Sequence, residues 1–426
     1  MDKLSICKEV LQELSDLIDS PELKENFCEK NRFIRKRKLS LKQLICYFFY
    51  TSHASMNLNL ANIIEDLPEI EFPVISKQAV SKARMAISPA LFEKLLQVSV
   101  EKFYHSDYSR KTWHGFYVFA IDGSTIQVPK TNDTIEYFGL CHNQYHSRED
   151  AMACISTLYD VLEDIIIDGI IQKYHTAERS MAKEHLSCLE SFGLSQNTVV
   201  TFDRGYPSFD FYRYFNEKQY YYVMRVQGKI KSLTQLGSKD AITDFRPMDR
   251  KTEEPVTVRV LHVTLDDGTD ECLVTNILDS SITVEMFKEL YFLRWGIESK
   301  YNELKNQLEL EEFSGSSHIS VEQDFFIKLL FMNICSLIKA CADDRISEVT
   351  NSSNKYHYQA NRAFLIGRLQ KHLARLLSGF KDIDQWINTL FEQAVKRRSQ
   401  IQPNRKCKRP KIQLRRRHCK NRKTTT

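Results

Sequence analysis

Apolar residues recur at helical spacing through the first hundred positions. Leu4, Val10, Leu11, Leu14 and Ile18 share one face, and Leu41, Leu44, Ile45, Phe48 and Phe49 share another. Ser76 is placed to cap a helix over Lys77 to Met85. From residue 117 to 226 the apolar runs shorten, become β-branched and are bounded by turn residues, which predicts strands. Tyr117 to Ile121 reads as a buried strand ending in Asp122-Gly123. Ala153 to Tyr159 and Ile165 to Ile171 form a hairpin about Glu163-Asp164, and Glu178 to Phe192 is a helix closed by Gly193. Thr198 to Phe202 is a second buried strand, ending in Asp203-Arg204-Gly205, and Tyr220 to Val226 a third. Strands alternating with helices in this way imply a mixed α/β sheet. Pro255 to Thr264 and Glu271 to Thr275 flank a turn at Asp266-Asp267-Gly268, so residues 227–280 read as a β-rich insertion. Helical spacing returns at Thr283, in one helix to about Leu310, another over Val321 to Ala342 and a third over Ala360 to Leu377.

The chain has 426 residues, 42% of them hydrophobic, with 13 Gly and 10 Pro, a globular composition. That length suits two or three domains. The formal charge of +5 is unevenly spread. Residues 396 to 423 hold 14 of the 60 Lys and Arg and no carboxylate, leaving the preceding chain with 46 bases against 55 acids. A tail so basic beside an acidic body points to a polyanion partner, nucleic acid before anionic membrane, with a merely solubilising tail as the alternative. Eleven cysteines occur without a CxxC pair, so neither a structural zinc site nor a disulfide framework is implied. The acidic, amphipathic start lacks the order of a signal peptide, and the apolar run from Phe325 to Cys341 is broken by Lys328, Asn333 and Lys339. The expectation is a soluble protein of a reducing compartment, without a membrane partner.

Arg32 to Lys38 carries five positive residues in seven, Arg35, Lys36, Arg37 and Lys38 among them, and Lys77, Lys82 and Arg84 follow on the capped helix. Basic edges on a small helical module suit phosphate contact; a solvated helical face is the competing explanation. Two buried strands that each end in Asp place both carboxylates on one edge of the sheet if they lie side by side and parallel, and ligand sites of α/β sheets form at that edge. The alternative is two turn-capping carboxylates. A third element decides between them. In the helix from Tyr291 to Lys305, Tyr291, Arg294, Glu298 and Lys305 fall within a stripe about 60° wide at 100° per residue. Leu290, Leu293, Ile297, Leu304 and Leu308 form a neighbouring apolar stripe that docks on a core. An acid between two cations and a phenol suits a metal with phosphates around it, although Arg294 and Glu298 are also spaced for a simple i,i+4 ion pair. His142 and His146 lack a third ligand, and no phosphate-binding GxxxxGK[ST], GxSxG or HExxH motif occurs.

Asp122 in FAIDGS, Asp203 in TFDRGYPSF and Glu298 in the spacing Y-x2-R-x3-E-x6-K resemble the DDE transposases of bacterial insertion sequences, in the insertion-sequence-four-like group named for its YREK signature. The resemblance implies a ribonuclease-H-like α/β core in which Asp122, Asp203 and Glu298 are the catalytic carboxylates and bind two Mg2+ ions, with Mn2+ able to substitute. It implies that Tyr291, Arg294 and Lys305 grip a DNA end. Arg204 is a further candidate DNA contact, and Trp295 offers a ring to stack on an unpaired base, with a packing role beside Gly296 as the favoured alternative. The 94 residues between Asp203 and Glu298 fit members with an interrupted core. The expected organisation is a helical DNA-binding domain at 1–110, the catalytic core at 111–226, a β-rich insertion at 227–280, the YREK helix at 281–320, a helical region at 321–395 and the basic tail at 396–426. Expected partners are double-stranded DNA with terminal inverted repeats, target DNA and a second copy of the chain, in a bacterial cytoplasm at the nucleoid. A metal-dependent nuclease without strand transfer and a non-catalytic DNA-binding derivative are the competing functions.

Overall fold

The computed structural model describes residues 2–33, 39–50, 54–141, 149–227, 230–265, 268–350, 356–379 and 383–401. Arg35, Lys36, Arg37, Lys38, His142, His146, Asp266, Asp267 and the tail beyond Ile401 lie outside the described residues. In chain order the elements are α1 (Lys3–Asp19), α2 (Pro21–Phe27), α3 (Leu41–Tyr50), α4 (Met56–Asp66), α5 (Lys77–Arg84), α6 (Ala90–Tyr104), β1 (Tyr117–Gln127), α7 (Asn132–Phe138), β2 (Leu140–Cys141), β3 (Asp150–Asp160) and β4 (Ile165–Lys173). There follow α8 (Glu178–Ser191), β5 (Thr198–Phe202), α9 (Phe209–Lys218), β6 (Tyr221–Val226), α10 (Lys231–Thr234), β7 (Asp240–Phe245), β8 (Val256–Thr264) and β9 (Asp270–Thr275). The remainder is α11 (Val284–Leu293), α12 (Trp295–Asn302), a π-helical turn at Glu303–Gln307, α13 (His318–Val349), β10 (Tyr358–Ala360), α14 (Arg362–Leu377), α15 (Ile383–Lys396) and β11 (Arg398–Gln400). The chain divides into two compact units. One comprises Met1–Tyr108, Ile126–Ala153 and Glu303–Thr426, the other Ser109–Thr125 and Cys154–Asn302.

The first unit is mainly helical. Asp2 caps α1 by accepting from the Ser5 amide at 2.7 Å, and Ser76 caps α5 by accepting from Ala79, as its sequence position predicts. The 32-residue α13 is the longest apolar segment, and most of it is buried against α1, α6, α14 and α15. That packing explains why the helix is apolar almost all round, as expected of a helix enclosed by others. Arg84, at the end of α5, is 4% exposed. Its Nε donates to Gln323 at 2.7 Å, its Nη1 to Ser314 at 2.5 Å, and its Nη2 to the Ser320 carbonyl at 3.0 Å and to Asp324 at 2.6 Å. The basic edge anticipated on α5 thus reduces to Lys77 and Lys82, because Arg84 is spent on a buried network.

The second unit is built on a sheet in the order β4-β3-β1-β5-β6-β9-β8-β7. β1 and β3 have their outer ends in the first unit, where β2 pairs with the start of β3. β5 lies between β1 and β6, parallel to both; β9, β8 and β7 follow antiparallel. All five residues of β5 are buried, as expected for a strand covered on both faces. On one face Val199, Val223, Leu261 and Leu273 pack with Phe287, Leu290 and Tyr291 of α11. Phe202 packs edge-on against Phe211 and Phe215 of α9, and Phe215 against Tyr222. The strands of residues 240–275, expected as an insertion, extend this same sheet through β9, because Cys272 to Thr275 satisfy the free edge of β6.

Arg84→Ala should destabilise the protein by about 3–5 kcal/mol, since it leaves Asp324 buried without its cation. The pair Arg84→Met with Asp324→Leu should recover much of that loss, as read from urea unfolding midpoints; equal losses in the single and double variants would show that the pair itself is not what holds this network.

Candidate active site

The two predicted aspartates meet through strand register. β1 and β5 pair from Tyr117↔Thr198 to Ala120↔Thr201, and continuing that offset by two residues sets Asp122 opposite Asp203. The β5 and β6 register, from Val199↔Tyr221 to Phe202↔Met224, likewise sets Arg225 opposite Asp203. Three neighbouring parallel strands therefore deliver an acid, an acid and a cation to one row. Arg225 Nη1 lies 3.8 Å from Asp203 Oδ1, and its Nη2 is 2.9 Å from Glu271. β1 runs on to Gln127, so Asp122 lies inside a long strand and not at a strand end as the sequence implied. Pairing with β5 stops before it, and that is what opens its carboxylate to the site.

The backbone of Asp122 is held from two directions. Its carbonyl accepts from the Tyr301 hydroxyl at 2.8 Å and from Ser156 Oγ at 3.2 Å. Behind Ser156 stands His185, fully buried, with Nε2 at 3.0 Å from Ser156 Oγ and Nδ1 at 2.7 Å from Asp168. This buried Ser-His-Asp chain is no nucleophile, because the hydroxyl is committed to a carbonyl; it fixes where the backbone of Asp122 lies. Sequence reasoning missed these residues, since Ser156 and Asp168 read only as parts of two strands and His185 as one helical position.

Tyr291 sits on α11 and Glu298 on α12, with Arg294 between them, because the single helix expected from Thr283 to Leu310 breaks at Arg294. Tyr291 OH is 3.4 Å from Asp203 Oδ1. Arg294, 3% exposed, donates from Nη2 to Glu298 Oε1 at 3.0 Å and lies over the Tyr291 ring at 5.3 Å. Its Nε is buried without a partner among the described residues. Lys305 falls in the π-helical turn, within the first unit. Trp295 and Phe292 are exposed and stack on each other, 6.4 Å apart at 18°, so Trp295 is not a core residue; Gly296 beside it lets α12 approach Tyr159. Arg204 is exposed on the turn after β5.

Burial first, then the charges of Glu178 and Asp203, push the Asp122 carboxyl up to about 7, against the opposing pull of Arg294. Glu178, absent from the predicted set, is itself raised by desolvation of its carboxyl and by Asp203, although the side chain as a whole stays exposed. Among the described residues no ready-made metal cage of three acidic, His or Cys side chains is closed. The donor set nevertheless fits a hard divalent cation: carboxylate oxygens, with Asp122 raised first by burial and then by its acidic neighbours, a cost that a cation would relieve.

Residues 113–334, just over half of the chain, match the family described as transposase DDE domain. The chain belongs to that family. It is also 23% identical over 187 residues to the putative transposase InsZ of Escherichia coli (strain K12), a match covering 43% of this chain and 60% of that protein. The cryo-EM structure of a piggyBac transposase synaptic complex with hairpin DNA superposes over 92% of this chain and 85% of that one, at 10% identity and a TM-score of 0.45. Asp122, Asp203 and Glu298 all lie inside the stretch matched to the transposase DDE domain.

Metal-free protein should lose stability through Asp122 as pH rises. Between its ordinary value of 3.8 and about 7 the folded state holds a proton that the unfolded state has released, so the penalty grows across that window and is complete above it. Asp122→Asn should therefore raise the melting temperature in EDTA more at about pH 7.5 than at about pH 4.5. An equal gain at both would remove Asp122 as the source.

Proposed function

We propose that this chain is a DNA transposase that cleaves the ends of its own insertion sequence and transfers them to target DNA. Membership of the transposase DDE family supports the reading, and the observation that carries it is the register row that sets Asp122 beside Asp203, with Arg294 linking Glu298 to the same acidic cluster. The hairpin β3-β4 on one side of β1 and the parallel strands β5 and β6 on the other support a ribonuclease-H-like core. The spacing Tyr291, Arg294, Glu298 and Lys305 supports placement in the YREK group.

Asp122, Asp203 and Glu298 are the residues that would hold two Mg2+ ions, with Mn2+ as substitute. When bound, such a pair activates the attacking oxygen and stabilises the leaving one in an in-line displacement at phosphorus. The chain's own residues do the rest. Ser156 and Tyr301 fix the main chain of Asp122, and Tyr291 orients Asp203. Arg294 holds Glu298 through Nη2 and keeps its unpartnered Nε for a phosphate oxygen of the DNA end. Lys305 and Arg204 add phosphate contacts, and Trp295 with Phe292 offers a stacking surface to an unpaired base. Arg35, Lys36, Arg37, Lys38 and the basic tail contribute sequence-independent contacts to duplex DNA. Two copies of the chain bring two inverted-repeat ends together, at the bacterial nucleoid.

Asp122→Ala, Asp203→Ala and Glu298→Ala should each reduce Mg2+-dependent cleavage of a terminal-repeat duplex by more than about 100-fold, since loss of outer-shell partners alone costs about 10- to 100-fold. DNA binding should persist in gel-shift titrations. Cleavage at wild-type rate by any of the three would remove that carboxylate from the site, and cleavage without strand transfer by the wild type would return the chain to a nuclease.

Arg294→Ala should impair end cleavage about tenfold or more, and the defect should persist at saturating Mn2+, because the phosphate contact is lost with the guanidinium. Full rescue by raised Mn2+ would mean that the arginine acts only by holding Glu298.

A further inference from the structure

Glu178, the first residue of α8, stands outside every signature position, yet its carboxylate lies against the residues that follow both aspartates. A Cβ on Gly123, the residue after Asp122, would stand 2.9 Å from Glu178 Oε1. A Cβ on Gly205, two residues after Asp203, would stand 3.2 Å from Oε2. Both glycines have ordinary φ, so neither is required by the backbone. What they provide is room for this one carboxylate between the two strands. A second observation is independent of the acids. Tyr206, beside Gly205, is 1% exposed, and its hydroxyl has no hydrogen-bond partner among the described residues. The charges that bear most strongly on that hydroxyl are those of Asp122 and Glu178. A buried phenol without a partner beside two carboxylates has a donor left over for something that binds there.

We propose that Glu178 is a fourth carboxylate ligand of the divalent cation bound by Asp122 and Asp203, and that the Tyr206 hydroxyl hydrogen-bonds a water of that hydrated cation. The assignment deepens the metal-site reading above and rests on it. Mg2+ keeps several waters when carboxylates bind it, so an oxygen acceptor for Tyr206 accompanies the ion. The distance in sequence, 56 residues after Asp122 and 25 before Asp203, is closed only by the packing of α8 on the sheet.

The test is Mn2+ binding to the full chain without DNA, read from the paramagnetic resonance of free Mn2+. Glu178→Gln should weaken binding about 10- to 100-fold, and Tyr206→Phe by a smaller factor. Glu184→Gln, an acid exposed further along α8, should leave it unchanged. The Glu178→Gln loss should remain at about 0.5 M KCl, where a purely through-space charge effect is screened. Gly205→Ala, which keeps the charge but crowds the carboxylate, should reproduce the loss and decides the matter if Glu178→Gln melts early. Unchanged affinity in Glu178→Gln, or a loss that vanishes in high salt, overturns the proposal. Wild-type Mn2+ affinity in Asp122→Asn instead overturns the metal-site reading itself, which keeps the two failures apart.

Discussion

The burial of neighbouring carboxylates is the constraint around which the second unit is arranged. Register brings Asp122 and Asp203 together on adjacent parallel strands, and α8 adds Glu178 beside them. Three like charges in a partly dehydrated space are costly, and the folded chain answers in two ways. Asp122 binds its proton more tightly, and Arg225, Arg294 and Arg179 supply opposing charge. The pH dependence of stability and the charge balance at these strands are thus one electrostatic fact, since whatever relieves the crowding of the carboxylates also steadies the fold.

The scaffold can sustain that repulsion because the strands beneath it are enclosed. β5 is buried along its whole length, with α11 packed on one face and an aromatic cluster from α9 against Phe202. The long arm of strands β7, β8 and β9 gives β6 a hydrogen-bonded neighbour, so no free edge lies beside Arg225. Behind Asp122 the Asp168-His185-Ser156 chain and Tyr301 hold one carbonyl oxygen, which fixes the backbone, and the Gly123 amide donates to the carboxylate itself at 3.0 Å. In the first unit the comparable burden is Arg84, a cation buried with full hydrogen bonding to Asp324, Gln323, Ser314 and Ser320.

The helix that carries the rest of the signature illustrates how local rules give way. An unbroken helix from Thr283 would have kept Tyr291, Arg294, Glu298 and Lys305 in one stripe. The chain instead turns at Arg294, whose guanidinium is buried between Glu298 and Tyr291, and widens to a π turn at Glu303–Gln307. Such turns are often found at functional sites, where a regular helix would aim a side chain wrongly.

The sequence by itself determined the local elements. A short β-branched run bounded by turn residues marked β5 to the residue, capping by Ser76 marked the start of α5, and Gly193 marked the end of α8, because these depend on neighbours a few positions away. The pairing of Asp122 with Asp203 was conditional in the sequence, since two strands that end in Asp share an edge only if they lie parallel and adjacent. Tertiary structure decided that register, the extension of the sheet by residues 240–275, the burial of Arg84 and the arrival of Glu178, Ser156, His185 and Arg225 at one place. Each of those rests on contacts between residues tens to hundreds of positions apart, where spacing along the chain carries no information and only the packing of helices on a common sheet does.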